Sequence, residues 1–240
     1  MSYPFYIILG ILPSLIWLAF YLKKDVHPEP KSEVLKIFFY GALVTIPAFF
    51  LEKGFFATTA SSLFSGELKP AFITILNAFL GVALVEEFLK YLAVREKVLR
   101  SPEFDEPVDA MLYMIIAALG FAALENILLF LRLGTEFLVR EALAISVFRF
   151  LGATFLHTLC SGTVGFFLAL SFSNLKKKSW LIGAGIGIAS LLHGLYNFSI
   201  MEMEGGPKML IPIIILIGLA IFVSLAFKRL KKMKSICKIQ

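Results

Sequence analysis

Residues 71–94 read AFITILNAFLGVALVEEFLKYLAV. The hydrocarbon core of a bilayer, roughly 30 Å thick, needs about 20 apolar residues of helix. This run meets that length, yet it carries two adjacent glutamates, Glu86 and Glu87, and a lysine, Lys90. A carboxylate at membrane depth is costly and is retained where it faces a bundle interior or a wet cavity. The stretch therefore predicts a membrane helix with an internal polar site.

The same reading along the chain predicts seven spans, at about 4–22, 35–56, 71–94, 108–131, 142–172, 180–201 and 209–227. The fifth is long enough to be tilted or to begin with an interfacial turn. Pro102 and Pro107 in REKVLRSPEFDEP separate the third and fourth, and Pro107 suits a first helical turn. Of 240 residues, 59% are hydrophobic and 17% charged, with a mean hydropathy of +0.86. This composition predicts one all-α integral membrane domain over 1–240, a polytopic helical bundle in the cell membrane. No polar stretch is long enough for a second domain. The two cysteines, Cys160 and Cys237, do not make a disulfide framework.

The net charge of +6 could suggest nucleic acid, but the positive residues cluster at the span edges and accompany no nucleic-acid motif. The expected partners are the lipid bilayer and a membrane-anchored protein, with no nucleic acid. With the N-terminus outside, the inner side holds Lys23, Lys24, Lys31, Lys36, Arg95, Lys97, Arg100, Lys176, Lys177, Lys178 and the basic residues of the tail from Lys228 to Lys238. The outer side keeps Lys53, Lys69, Arg132, Arg140 and Lys208. This asymmetry predicts an outer N-terminus and a cytoplasmic C-terminus.

Further polar residues interrupt the other spans: Glu125 and Asn126, Arg149 and His157, His193 and Asn197. Each has a bland reading. Glu86, Glu87 and Lys90 could neutralise one another, since Glu86 and Lys90 are one helical turn apart. Glu125 could be an interfacial acid near Arg132. His157 could be a packing residue, Arg149 is expected to snorkel to the outer surface, and His193 with Asn197 could bond another helix. Taken together, a shared cavity explains them better than unrelated intrusions do. Counting along ideal helices leaves Glu86 and Glu125 about 13 Å apart in depth, a gap that tilt and side-chain reach must close.

A buried carboxylate can act as a base toward water. Histidine can share the proton, and an imidazole or an amide can donate to a developing oxyanion. The set therefore suits amide hydrolysis by activated water. GxSxG, SxxK and HExxH are all absent from the sequence. Two histidines with several carboxylates leave zinc open by spacing alone.

Four ordered motifs, VEEFLKYLAV (85–94), EFDEPVDAMLYMIIAALGFAALENILLFL (103–131), FLHTLCSGTVGFF (155–167) and LLHGLYNF (191–198), carry a family resemblance. Together they resemble the PrsW family of intramembrane proteases over about 85–200, the motif core. That family is similar in turn to the CAAX prenyl endopeptidases and the bacteriocin-processing membrane proteases. The resemblance implies a glutamate-dependent endopeptidase. The family's glutamate pair falls on Glu86 and Glu87, and its motif histidine on His157. The last motif, from His193 to Asn197, matches the superfamily's oxyanion element. In the wider superfamily the second motif ends in histidine, whereas here Glu125 follows Phe121 at that spacing. The family is associated with cleavage of membrane-anchored anti-sigma factors.

The expectation is thus an intramembrane endopeptidase with Glu86, Glu87, Glu125, His157, His193 and Asn197 as catalytic residues and no cofactor. Its rivals are a zinc-dependent membrane protease or prenyl-protein endopeptidase on the same residues, a transporter or ion pathway, and a catalytically silent scaffold. Internal repeats and interrupted helices would favour transport, and neither is evident in the sequence.

Overall fold

A computed structural model of the chain describes residues 3–233 except 26, 65, 67, 98–103, 105 and 134–137. Pro102, Arg100, Lys234, Lys238 and Cys237 therefore lie outside the described residues. The described secondary structure is helical throughout: α1 (Tyr3–Leu22), α2 (Lys31–Leu43), α3 (Thr45–Phe64), α4 (Pro70–Leu76), a π-helical segment (Asn77–Leu84), α5 (Val85–Lys97), α6 (Pro107–Leu133), α7 (Val139–Leu151), α8 (Ala153–Ser173), α9 (Lys178–Glu202) and α10 (Gly206–Leu230). Grouped into continuous rods, they give seven helices long and apolar enough to cross a membrane.

The rods coincide with the seven expected spans, and three of them are interrupted. Span two runs from Lys31 to Leu63 and turns at Val44, between α2 and α3. Span three joins α4 to α5 through the π-helical turns. Span five breaks at Gly152, between α7 and α8. A Cβ at Gly152 would collide with the Tyr196 hydroxyl and sit 2.8 Å from the Phe148 carbonyl, so α9 can approach this corner only if position 152 has no side chain.

α6 is the axis of the bundle. Every residue from Pro107 to Ala123 is buried, and α1, α2 and α8 pack around the helix. In lipid, helices associate through close packing and interhelical hydrogen bonds rather than the hydrophobic effect, so small residues collect at interfaces. Gly41 of α2 lies against the Ala117 backbone, and Gly120 of α6 against the Phe38 backbone, each with no room for a Cβ. Large apolar side chains such as Phe50, Ile214 and Ile217 remain exposed on the outside, where a membrane protein meets lipid.

Candidate functional site

The π-helical turns from Asn77 to Leu84 deliver the chain to Glu86. Such turns occur often at functional sites. One extra residue in a helix rotates everything after it by about 100°. The contacts that hold the segment include a hydrogen bond from the Thr59 hydroxyl to Asn77 Oδ1 at 2.9 Å, Gly81 against Phe55 of α3, and Gly194 of α9 against Phe79. The start of α5 is thereby set against α6, α8 and α9, and Glu86, Glu87 and Lys90 all point inward and are buried.

Lys90 is the centre of the cluster. Its Nζ donates to Glu86 Oε2 at 3.0 Å, to Glu87 Oε1 at 2.8 Å and to His157 Nδ1 at 2.8 Å. It also lies 4.2 Å from the centre of the Phe121 ring, an additional cation–π contact. The expected pairing of Glu86 with Lys90 is present, and it belongs to a network rather than being self-contained.

These partners fix the histidine tautomers. An ammonium has only protons to give, so His157 Nδ1 accepts and the ring proton sits on Nε2. That proton is donated to Glu125 Oε2 at 2.8 Å. His193 meets Glu87 Oε1 through Nδ1 at 3.1 Å. A carboxylate only accepts, so the proton is on Nδ1 and the Nε2 lone pair is left 3.9 Å from Glu86 Oε2. The two rings stand edge to face, 5.0 Å apart. Each histidine thus turns a lone pair toward the cluster and is oriented by a carboxylate behind it.

The two glutamates are not equivalent. Glu87 is fully buried, and its oxygens are engaged by Lys90, His193 and the Ser161 hydroxyl, the last donating to Oε2 at 2.9 Å. Glu86 lines a cavity of about 440 Å³ together with Glu52, Phe121, Glu125 and Arg149. Of the adjacent acids, Glu86 is the one that a molecule in this cavity meets.

The structure brings Glu86, Glu87, Glu125, His157 and His193 together, and the depth gap is bridged by His157, which stands between Glu86 and Glu125. Asn197 is placed elsewhere: it lines a separate cavity with Asn77 and Met201. The snorkelling expected of Arg149 is not what the structure shows. Arg149 turns inward, pairs with Glu125 Oε2 at 2.9 Å and donates from Nε to Asn126 Oδ1. The break at Gly152 explains this, because α7 approaches the bundle independently of α8. Asn126 is held in turn by its donation to Gly10 O and Thr154 Oγ1, at 3.2 and 3.1 Å. Two residues of this region carried little sequence signal. Ser161 is an ordinary small residue in a packed helix, and Glu52 lay close to the expected end of span two, where an acid reads as interfacial.

Glu86, Glu87, His157 and His193 can each offer one atom such that all four lie within 4.8 Å of one another. Nitrogen and carboxylate oxygen donors of this kind suit zinc, and histidines backed by carboxylates are the usual outer support of a metal site. The donor set therefore fits a divalent cation. Lys90 Nζ, bonded to three of the four, stands where such a cation would be shared, so a bound metal requires the lysine to move aside.

A family model described as "PrsW family intramembrane metalloprotease" matches residues 29–226. Protease PrsW of Geobacillus kaustophilus is 33% identical over 196 residues, 81% of this chain and 79% of the relative. Protease PrsW of Oceanobacillus iheyensis is 30% identical over 226 residues, 93% of each chain. The Bacillus subtilis protein of the same name is 29% identical over 209 residues, 86% of this chain and 87% of the relative. No solved structure matches at a significant level. With its seven apolar helices and its buried acid–histidine cluster, the chain belongs to the PrsW family of membrane proteases.

Proposed function

We propose that the chain hydrolyses a peptide bond of a membrane-anchored protein, with Glu86 as the base that activates water. The observation that carries this reading is that Glu86 belongs to the buried cluster and also lines the cavity. Water there gives a proton to Glu86 as its oxygen attacks the peptide carbonyl, and the proton then passes to the departing amine. Glu87 holds Lys90, His193 and Ser161 in register. Glu125 and His157 handle the proton, with Arg149 fixing Glu125. His193 serves the developing oxyanion only once Nε2 has taken up a proton, as an imidazolium, because in the resting cluster its single proton lies on Nδ1 toward Glu87. Among the described residues no hydrogen bond joins Asn197, assigned to that role by the sequence motif, to the cluster, and it lines a separate cavity. An anti-sigma factor is the substrate that the family resemblance suggests. The excess of Lys and Arg on one side supports an outer N-terminus and a cytoplasmic C-terminus.

A second reading rests on the convergence of the four donors. Glu86, Glu87, His157 and His193 would hold a zinc ion, which when bound lowers the pKa of water and polarises a carbonyl. In either reading the chain's own residues exclude bulk water, orient the histidines and carry protons. The test compares membrane proteomes of cells with the wild-type chain and with Glu86→Gln. A single-pass protein that accumulates uncut only with the variant is the expected result, and identical proteomes contradict the proposal. Metal content of the purified protein separates the readings. Activity in a metal-free preparation supports the glutamate mechanism, and loss on stripping with recovery on adding zinc supports the metal.

A further inference from the structure

We propose that the cleft between α3 and α6 admits the substrate segment from the side, and that Glu52 selects segments carrying a Lys or Arg side chain near the scissile bond. This rests on the hydrolase reading above and adds a class of substrate to it. Phe49 and Leu128 line the Glu86 cavity and are 54% and 43% exposed. The cavity is thus open to the outside of the bundle between two apolar lips, which face lipid in a membrane. A segment entering there reaches Glu86 without leaving the bilayer.

The charges along this route are unequal. Three acids, Glu52, Glu86 and Glu125, and two arginines, Arg132 and Arg149, line the cavity. Glu86 is paired with Lys90, and Glu125 with Arg149 and His157. Among the described residues Glu52 has no ion-pair partner, and it is partly exposed into the space that the others line. An acid at membrane depth is expected to find a positive partner. The fold supplies one to its neighbours, and an arriving basic side chain supplies one to Glu52. The stem of a Lys or Arg is apolar and its head charged, which matches a path past Phe49 to a carboxylate.

The test uses the full-length chain carrying Glu86→Gln, so that bound peptide persists, in a non-ionic detergent that offers no lipid amine. A benzophenone amino acid at position 128 reports occupancy. The probe is a biotinylated single-span Leu/Ala peptide with one Lys scanned through its length, and its counterpart with Met. The Lys peptide should be labelled about tenfold more than the Met peptide at its best position. Glu52→Gln should bring the two level, and Glu52→Lys should shift the preference to a peptide carrying Glu. Equal labelling with Glu52 intact, or a Lys preference that survives Glu52→Gln, overturns the proposal. Cleavage is read separately with Glu86 intact. A Lys preference without cutting of any bound peptide contradicts the hydrolase reading and not the cleft, and cutting without preference does the reverse.

Discussion

Lys90 neutralises two buried carboxylates at once, and this makes it the residue on which the cluster's stability turns. Breaking a buried ion pair by removing one partner costs about 3–5 kcal/mol, because the charge left behind has no compensation. Lys90→Met should therefore lower the thermal unfolding midpoint in detergent far more than a surface Lys→Met at Lys208. An unchanged midpoint would mean that the ammonium does not hold Glu86 and Glu87 as described. Arg149 acts one step further out, through Glu125 on His157. Arg149→Gln should lower kcat by about tenfold or more with little change in KM. Lys should rescue poorly, since a single ammonium cannot serve Asn126 and Glu125 as the guanidinium fork does. Full rescue by Arg149→Lys would reduce its role to charge alone. At this scale the sequence was informative for Glu86, Glu87, Glu125, His157 and His193, because polar residues stand out against lipid-soluble neighbours. It was uninformative for Arg149, whose direction depends on a helix break, and for Glu52, whose depth depends on how far span two continues.

The elements explain why those directions were hidden. α10 buries Pro212, Ile215, Leu219, Val223, Ala226 and Leu230 and exposes Ile213, Ile214, Ile217, Ile221 and Leu225. That is a helical period, but both faces are apolar, so sequence pattern cannot tell protein from lipid. The π-helical turns from Asn77 to Leu84 were not legible either, since the contacts they make are with α3 and α9, far away in sequence. The glycine contacts yield a prediction. Gly120→Val must push α2 away from α6 at Phe38, and overpacking of this kind costs about 1–3 kcal/mol. Its unfolding midpoint should drop, whereas the same change at Gly218, which has nothing near its Cβ position, should leave the midpoint nearly unchanged. Equal effects at the two positions would contradict the close packing of α2 on α6.

For the whole molecule, the number and order of spans were legible because hydropathy and length suffice for them. The gathering of four spans around one cluster was legible only as an inference from cost. The proposed orientation rests on the Lys and Arg distribution alone. A cytoplasm-active reporter fused after Gln240 should be active, and one placed at Met1 should lie outside. Both ends on the same side would contradict seven crossings.

Glu86 is proposed to act directly on the attacking water. The most direct measurement places the purified chain in liposomes with a peptide of the membrane protein that accumulates in Glu86→Gln cells, and follows the appearance of the cut product. Loss of a general base alone lowers the rate by about 10² to 10⁴. Wild type should cut the peptide, and Glu86→Gln, folded and still binding it, should fall by at least about 10²-fold. Cutting by Glu86→Gln at the wild-type rate would contradict a role for Glu86 as the base.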